Sequence, residues 1–215
     1  VRVAVLISSR GSNMQALVRA CEAEGFPAEI VTVLSNNPDA GGLEFAASHN
    51  IPTKVINHRD YENREDFDAA ISEYLTEQRV DLICLAGFMR LLTAEFVNKW
   101  RDRIVNIHPS LLPAFKGLHV HERAIESGAR FTGCTVHYVR PEMDDGPIIA
   151  QAAVPILQDD TPDDLAARIL VQEHRIYPLA LKLIAERRVK VHGSVAKIID
   201  ASEPDTSLIN PSEDN

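Results

Sequence analysis

Unbroken apolar runs alternate along the first half of the chain with segments whose apolar positions recur every three or four residues. Residues 3–7 form a continuous apolar run of the kind buried on both faces of a sheet. Small polar residues at 8–12 interrupt it, and helical periodicity follows over 13–24, with Met14, Leu17 and Val18 as its core stripe. The same reading predicts strands at 30–34 and 54–56, a short helix at 41–48 and a long amphipathic helix at 64–78. The run at 82–86 is very apolar and is expected at the sheet centre. Strand and helix alternating at this pitch predict an α/β fold, an open, mostly parallel, twisted sheet with right-handed crossovers and helices on both faces.

The second half is less regular. A short strand at 104–107 runs into a proline-bracketed loop, His108-Pro109-Ser110-Leu111-Leu112-Pro113. Residues 131–139 alternate apolar and polar, and 147–154 read as an antiparallel partner. Thr161-Pro162-Asp163-Asp164 is a helix start, with Thr as cap, Pro in the first turn and acids at the positive end of the dipole. That helix is expected to reach about residue 186. From Asp200 onward the chain carries Asp200, Glu203, Asp205, Glu213 and Asp214 and no basic residue. With no repeat and no linker, residues 1–199 read as one domain and 200–215 as an acidic, flexible tail.

Composition narrows the function classes. A chain of 215 residues, 45% hydrophobic and 25% charged, belongs with ordinary globular proteins and buries one core. The longest apolar run, 82–89, is too short to span a membrane, and no basic stretch followed by an apolar one opens the chain. Val1 stands where Met would be, and since a strand begins at once, little of the fold is expected to be missing. The three cysteines (Cys21, Cys84 and Cys134) are widely spaced, which disfavours a disulfide framework or zinc cluster and fits a reducing cytoplasm. Thirty-one acidic against 22 basic side chains give a net charge of −9, so no basic footprint for nucleic acid is visible. A small anion is still admissible, because a helix N-terminus binds phosphate locally.

Two segments carry candidate chemistry. Ser8-Ser9-Arg10-Gly11-Ser12-Asn13 lies between the first strand and first helix, where an open α/β sheet places its ligand crevice. With one glycine it is neither a dinucleotide fingerprint nor a P-loop, and a plain N-cap turn accounts for the residues equally well. In the second segment Asn106 and His108 point to one face of a strand as it ends. An amide beside an imidazole can stabilise an oxyanion and move a proton. Met143-Asp144-Asp145-Gly146-Pro147 adds a carboxylate that would favour the charged ring. Taken singly, such a His is more often structural and such an Asp a turn residue. His119 and His121 lack the further ligands of a metal site, so none is expected. Arg64 and Arg90 have the fork geometry to clamp an anion, although most arginines are surface residues. Cys84 and Cys134 read as inert core thiols.

Residues 5–16, 85–92 and 106–113 together resemble the folate-dependent phosphoribosylglycinamide formyltransferase family. So do Gly117-Leu118-His119, Gly133 to Val139, Asp144-x-Gly146-Pro147 and Gln172-Glu173-His174-x-x-Tyr177-Pro178, in order and with compatible spacing. The resemblance implies a Rossmann-like formyltransferase fold. It also implies direct transfer of the formyl group of 10-formyltetrahydrofolate, a co-substrate, to the amine of glycinamide ribonucleotide in purine synthesis. The products are formylglycinamide ribonucleotide and tetrahydrofolate, reached through a tetrahedral oxyanion without metal or covalent intermediate. Asn106, His108 and Asp144 match the family's catalytic trio. Gly11, Ser12, Asn13 and Glu173 match its ribonucleotide contacts. Arg64, Met89, Arg90, Leu91, Leu92, Arg140, Pro141, Glu142 and Met143 match its folate contacts, with Asn106 and Asp144 again. Leu112-Pro113 matches a position where the family has a cis peptide. Leu170 departs from relatives that carry a polar residue near the phosphate.

Three rivals share parts of this pattern. Formyltetrahydrofolate deformylase has the same trio, but normally carries an extra N-terminal domain and a His-His-Ser where this chain has His108-Pro109-Ser110. Methionyl-tRNA formyltransferase needs a further C-terminal domain and a basic surface. A non-catalytic nucleotide- or folate-binding module leaves the trio without a role. The expectation is therefore a cytoplasmic transformylase acting on two small molecules, monomeric or homodimeric, with no nucleic-acid or membrane partner.

Overall fold

The structure, a computed structural model, describes residues 1–202 and 204–212. Five parallel strands come first: β1 (Arg2–Ile7), β2 (Glu29–Ser35), β3 (Thr53–Val55), β4 (Leu82–Leu85) and β5 (Ile104–His108). β6 (Phe131–Tyr138) and β7 (Ile148–Pro155) follow, and the sheet order is β3-β2-β1-β4-β5-β6-β7. β4 is thus the middle strand, as its apolarity requires. β6 is antiparallel to both neighbours, so it alone runs against the other strands of this sheet. The change of direction falls beside β5 and sets residues 135–138 opposite residues 105–108.

The period of two along β1 divides the core. Val3, Val5 and Ile7 face one hydrophobic cluster, with α1 (Ser12–Cys21), α2 (Gly42–Ser48), α5 (Val120–Glu126) and α6 (Pro162–Ala185). Ala4 and Leu6 face another, with α3 (Arg64–Glu77) and α4 (Ala94–Lys99). α6 begins with a reciprocal box, in which Thr161 Oγ1 accepts the Asp164 N–H and Asp164 accepts the Thr161 N–H. Deeper in α6, the buried Tyr177 hydroxyl lies 2.9 Å from the Leu85 carbonyl and 3.2 Å from that of Val105, bridging β4 and β5.

Loops 24–28, 78–81 and 101–103 feed the amino ends of β2, β4 and β5. There the Arg2 and Arg103 guanidinium groups donate to the carbonyls of residues 78–81. The sequence reading did not include α4, α5, a 3-10 turn at His58–Asp60, or a hairpin of β8 (Val189–His192) and β9 (Val195–Ile198). α4 and α5 have six and seven residues, under two turns, where helical periodicity is a weak signal, although it sufficed for the equally short α2. In the expected tail, Asn210 Nδ2 donates to the Arg130 and Ile156 carbonyls at 2.7 and 3.0 Å. Glu203, Glu213 and Asp214 lie outside the described residues.

Candidate active site

Gly11 precedes α1 at φ 62°, a left-handed conformation that glycine adopts without strain. No side chain caps this helix, and the first intrahelical bond runs from the Gln15 N–H to the Gly11 carbonyl. The turn is therefore not the side-chain N-cap that the sequence allowed. The N–H groups of Ser12, Asn13 and Met14 have no acceptor among the described residues, so they are open to an anion. Asn13 is buried, and its Nδ2 donates to Glu173 Oε2 on α6 at 2.6 Å, while its Oδ1 is buried without a partner. Burial raises the Glu173 carboxyl above its ordinary range, partly offset by the Asn13 bond. Leu170 is half-buried on the same helix, one turn before Glu173.

The second half of the site is built around the end of β5. His108 is 6% exposed; its Nδ1 lies 3.5 Å from Asp144 Oδ2 and its Nε2 2.9 Å from the Phe115 carbonyl. Asp144 adopts φ 51°, which an aspartate tolerates better than most side chains. Its carboxylate also accepts the Gly117 N–H at 2.9 Å. The loop after His108 is pinned by the Ser110 hydroxyl to the Ala114 carbonyl, by Thr135 Oγ1 to the Ser110 carbonyl, and by the Leu112 N–H to Thr135 Oγ1. The Leu112–Pro113 peptide is cis.

Sequence reading overlooked His137 as a site residue. Register sets it opposite Asn106, with Asn106 Nδ2 and His137 Nε2 3.5 Å apart, and Asp144 Oδ1 is 3.9 Å from the same nitrogen. His137 Nδ1 donates to the Tyr138 carbonyl at 2.9 Å, and burial holds the ring below its ordinary pKa. A neutral ring in this tautomer offers Asn106 a lone pair, which orients the amide and leaves its second hydrogen free. The signal available in the sequence was the polar His137 within an alternating strand.

The loop after β4 makes the third wall. Met89, Arg90 and Leu91 are exposed, at 70% for Met89 and 59% for Leu91, whereas Leu92 packs against the core around α3 and α4. The Met89 N–H donates to Ser8 Oγ at 2.8 Å, and the Thr93 N–H donates to Asp68 Oδ2 at 2.6 Å. Asp68 is buried, which raises its carboxyl, the Thr93 N–H acting the other way. Arg64, exposed one turn earlier on α3, lies close enough to stabilise the Asp68 charge. Pro141, Glu142 and Met143 are exposed in the β6–β7 turn, but the Arg140 guanidinium is occupied by Asp102 at 2.6 Å and by the Val139 carbonyl at 3.0 Å. Among the described residues no group of three or more His, Cys, Asp or Glu side chains could hold a metal ion.

An open sheet with unpaired helix N–H groups after β1 and an amide–imidazole–carboxylate cluster at β5 has the layout of a transferase crevice at the carboxyl strand ends. Residues 1–181 match the formyl transferase family, and the chain belongs to it. Within that family it is 41% identical to the phosphoribosylglycinamide formyltransferase of Haemophilus influenzae, over 97% of this chain and 99% of that one. It is 50% identical to the human trifunctional purine biosynthetic protein adenosine-3 over 92% of its own residues, spanning about a fifth (19%) of that longer protein. A crystal structure of glycinamide ribonucleotide transformylase 1 from Symbiobacterium toebii superposes with a TM-score of 0.91 at 46% identity, covering 93% of this chain and 94% of that one.

Proposed function

We propose that this chain transfers the formyl group of 10-formyltetrahydrofolate directly to the amine of glycinamide ribonucleotide, forming formylglycinamide ribonucleotide and tetrahydrofolate in purine biosynthesis. The observation that carries the reading is the convergence of Asn106, His108 and Asp144, from two separated segments, in a chain of this family. The cradle at Gly11, Ser12 and Asn13 takes the ribonucleotide phosphate, and Glu173, positioned by Asn13, accepts from its ribose hydroxyls. The folate lies between the 89–92 loop and the 140–143 segment. Backbone groups of Met89 to Leu92 read the pterin edge and Leu92 packs on its face, while Arg64 meets the folate's anionic end.

The amine attacks the formyl carbon, and the carbonyl electron pair moves onto oxygen. The free Asn106 hydrogen donates to that oxyanion, and the positive charge of a protonated His108, whose ring nitrogens face Asp144 and the Phe115 carbonyl, stabilises it, with Asp144 at 3.5 Å compensating the imidazolium. Collapse expels the folate nitrogen, which receives the proton lost by the amine through a water held at Asp144. The partners are small molecules, and the protein acts as a monomer or homodimer in the cytoplasm. Among the described residues no helix is long and apolar enough to cross a membrane.

A spectrophotometric assay with 10-formyl-dideazafolate tests the reading. Deformylation that depends on glycinamide ribonucleotide, with formylated product appearing in step, is the expected result. Release of formate without an acceptor would make the protein a deformylase. Binding with neither reaction would remove the catalytic assignment.

A further inference from the structure

One hydroxyl joins the two ligand loops. Ser8 follows β1 directly and opens the segment leading to Gly11, and its Oγ accepts the Met89 N–H at 2.8 Å from the loop after β4. The same hydroxyl donates to Asn36 Oδ1 at 2.5 Å. Asn36 is 4% exposed, and its Nδ2 faces His58 Nδ1 at 3.2 Å. A hydrogen-bonded row thus crosses the carboxyl ends of the sheet, from the loop after β4, through β1, to the turns after β2 and β3. At the far end of the 89–93 loop, the Thr93 N–H is held by Asp68. Between these two anchors the backbone groups of Arg90, Leu91 and Leu92 enter no hydrogen bond among the described residues.

We propose that Ser8 is a positioning residue: its hydroxyl fixes the 89–92 loop relative to the nucleotide cradle, and so sets the folate against the ribonucleotide amine. The proposal rests on the function proposed above. A hydroxyl suits the task because it donates and accepts at once, which neither an alanine nor a second acceptor can do. Met89 is exposed, so water replaces Ser8 as acceptor for its N–H when the hydroxyl is removed. The Met89 side of the loss falls on where the loop sits, while the buried Asn36 Oδ1, left without its donor, adds a cost in stability that is separate from folate binding.

The test compares Ser8→Ala and Ser8→Thr with wild type. Non-reactive 5,8-dideazafolate serves as folate probe by titration calorimetry, alongside KM for each substrate, kcat and the thermal midpoint. Ser8→Ala is expected to weaken the folate analogue and raise the folate KM about tenfold, the effect of losing the one hydrogen bond that places the loop. The ribonucleotide KM should move far less even where the orphaned Asn36 lowers the melting temperature, and Ser8→Thr, which keeps the hydroxyl, should recover most of the folate affinity. A Ser8→Ala protein that binds the analogue within twofold of wild type overturns the proposal. Equal weakening of both substrates with a lowered melting temperature also overturns it, because that marks a structural role alone. Wild-type protein that binds no folate analogue removes the underlying function and this proposal with it.

Discussion

Gly146 makes the closest backbone approach in the candidate site, and substituting it tests how the Asp144 turn is held. A Cβ built there would lie 1.6 Å from the Tyr138 carbonyl oxygen and 2.6 Å from its carbon. Reaching even 3.0 Å, the limit that real Cβ contacts essentially respect, needs a displacement of 1.4 Å, and backbone must supply it. Two site contacts depend on that backbone. The Tyr138 carbonyl anchors His137 at 2.9 Å, and Asp144, two residues before Gly146, faces His108 at 3.5 Å. Neither separation absorbs a shift of that size. Misplacement by about 1 Å costs about 100-fold in rate, so Gly146→Ala should lower kcat at least about 100-fold. Overpacking adds a destabilisation of about 1–3 kcal/mol, a fall of several degrees in melting temperature. Ribonucleotide affinity should persist, because Gly11, Asn13 and Glu173 lie on other elements. Steady-state kinetics, calorimetric titration of the ribonucleotide and differential scanning calorimetry give the three readouts. A Gly146→Ala protein with kcat within threefold of wild type and an unchanged melting temperature would refute the reasoning.

Other substitutions probe separate parts of the site and fold. Asp144→Asn keeps the shape but removes the charge facing His108; kcat should fall roughly 100- to 1000-fold while both ligands still bind, and near-wild-type turnover would remove Asp144 from the mechanism. Because burial raises the Glu173 carboxyl, its protonated form is the one the fold favours. That contribution is complete below the ordinary value of 4.5 and is lost as pH rises through the raised one. Glu173→Gln should therefore melt higher than wild type at pH 8, with the gap closing below pH 4.5, while ribonucleotide affinity drops about tenfold or more. A gap independent of pH in thermal melts would contradict this. Thr161→Ala removes the α6 cap and should cost about 0.5–2 kcal/mol in urea unfolding without changing kcat; no loss of stability would mean the box contributes nothing.

The elements legible in the sequence were those whose signal is local. Residues 3–7 and 82–86 are apolar enough to be strands wherever they pack, and Thr161-Pro162-Asp163-Asp164 carries its cap within four residues. Asn106 and His108 could be paired from strand period alone. Bringing Asp144 to them depended on the resemblance, since nothing local says that a turn 36 residues beyond His108 folds back over β5. Contacts set by register stayed hidden. His137 meets Asn106 only because β6 reverses direction, and Ser8 meets Met89 across 81 residues because β1 and β4 are neighbours. Asp68 was hidden for a different reason. An acid on an amphipathic helix reads as solvent-facing, and only the packed structure shows it buried against the Thr93 N–H.

Because β1, β4 and β5 are parallel, the Gly11 turn, the 89–92 loop and the Asn106–His108 pair all gather at one rim of the sheet. None of these groups lies at the opposite rim. At its 24–28 turn, Gly25 stands at φ 77° with nothing within 4 Å of where a side chain would begin. A six-residue strand separates this turn from the Gly11 turn by about 20 Å. A protein built this way has a growth point. Extra residues, a reporter, or a tether to another enzyme can be grafted beside Gly25 while the reacting groups keep their spacing.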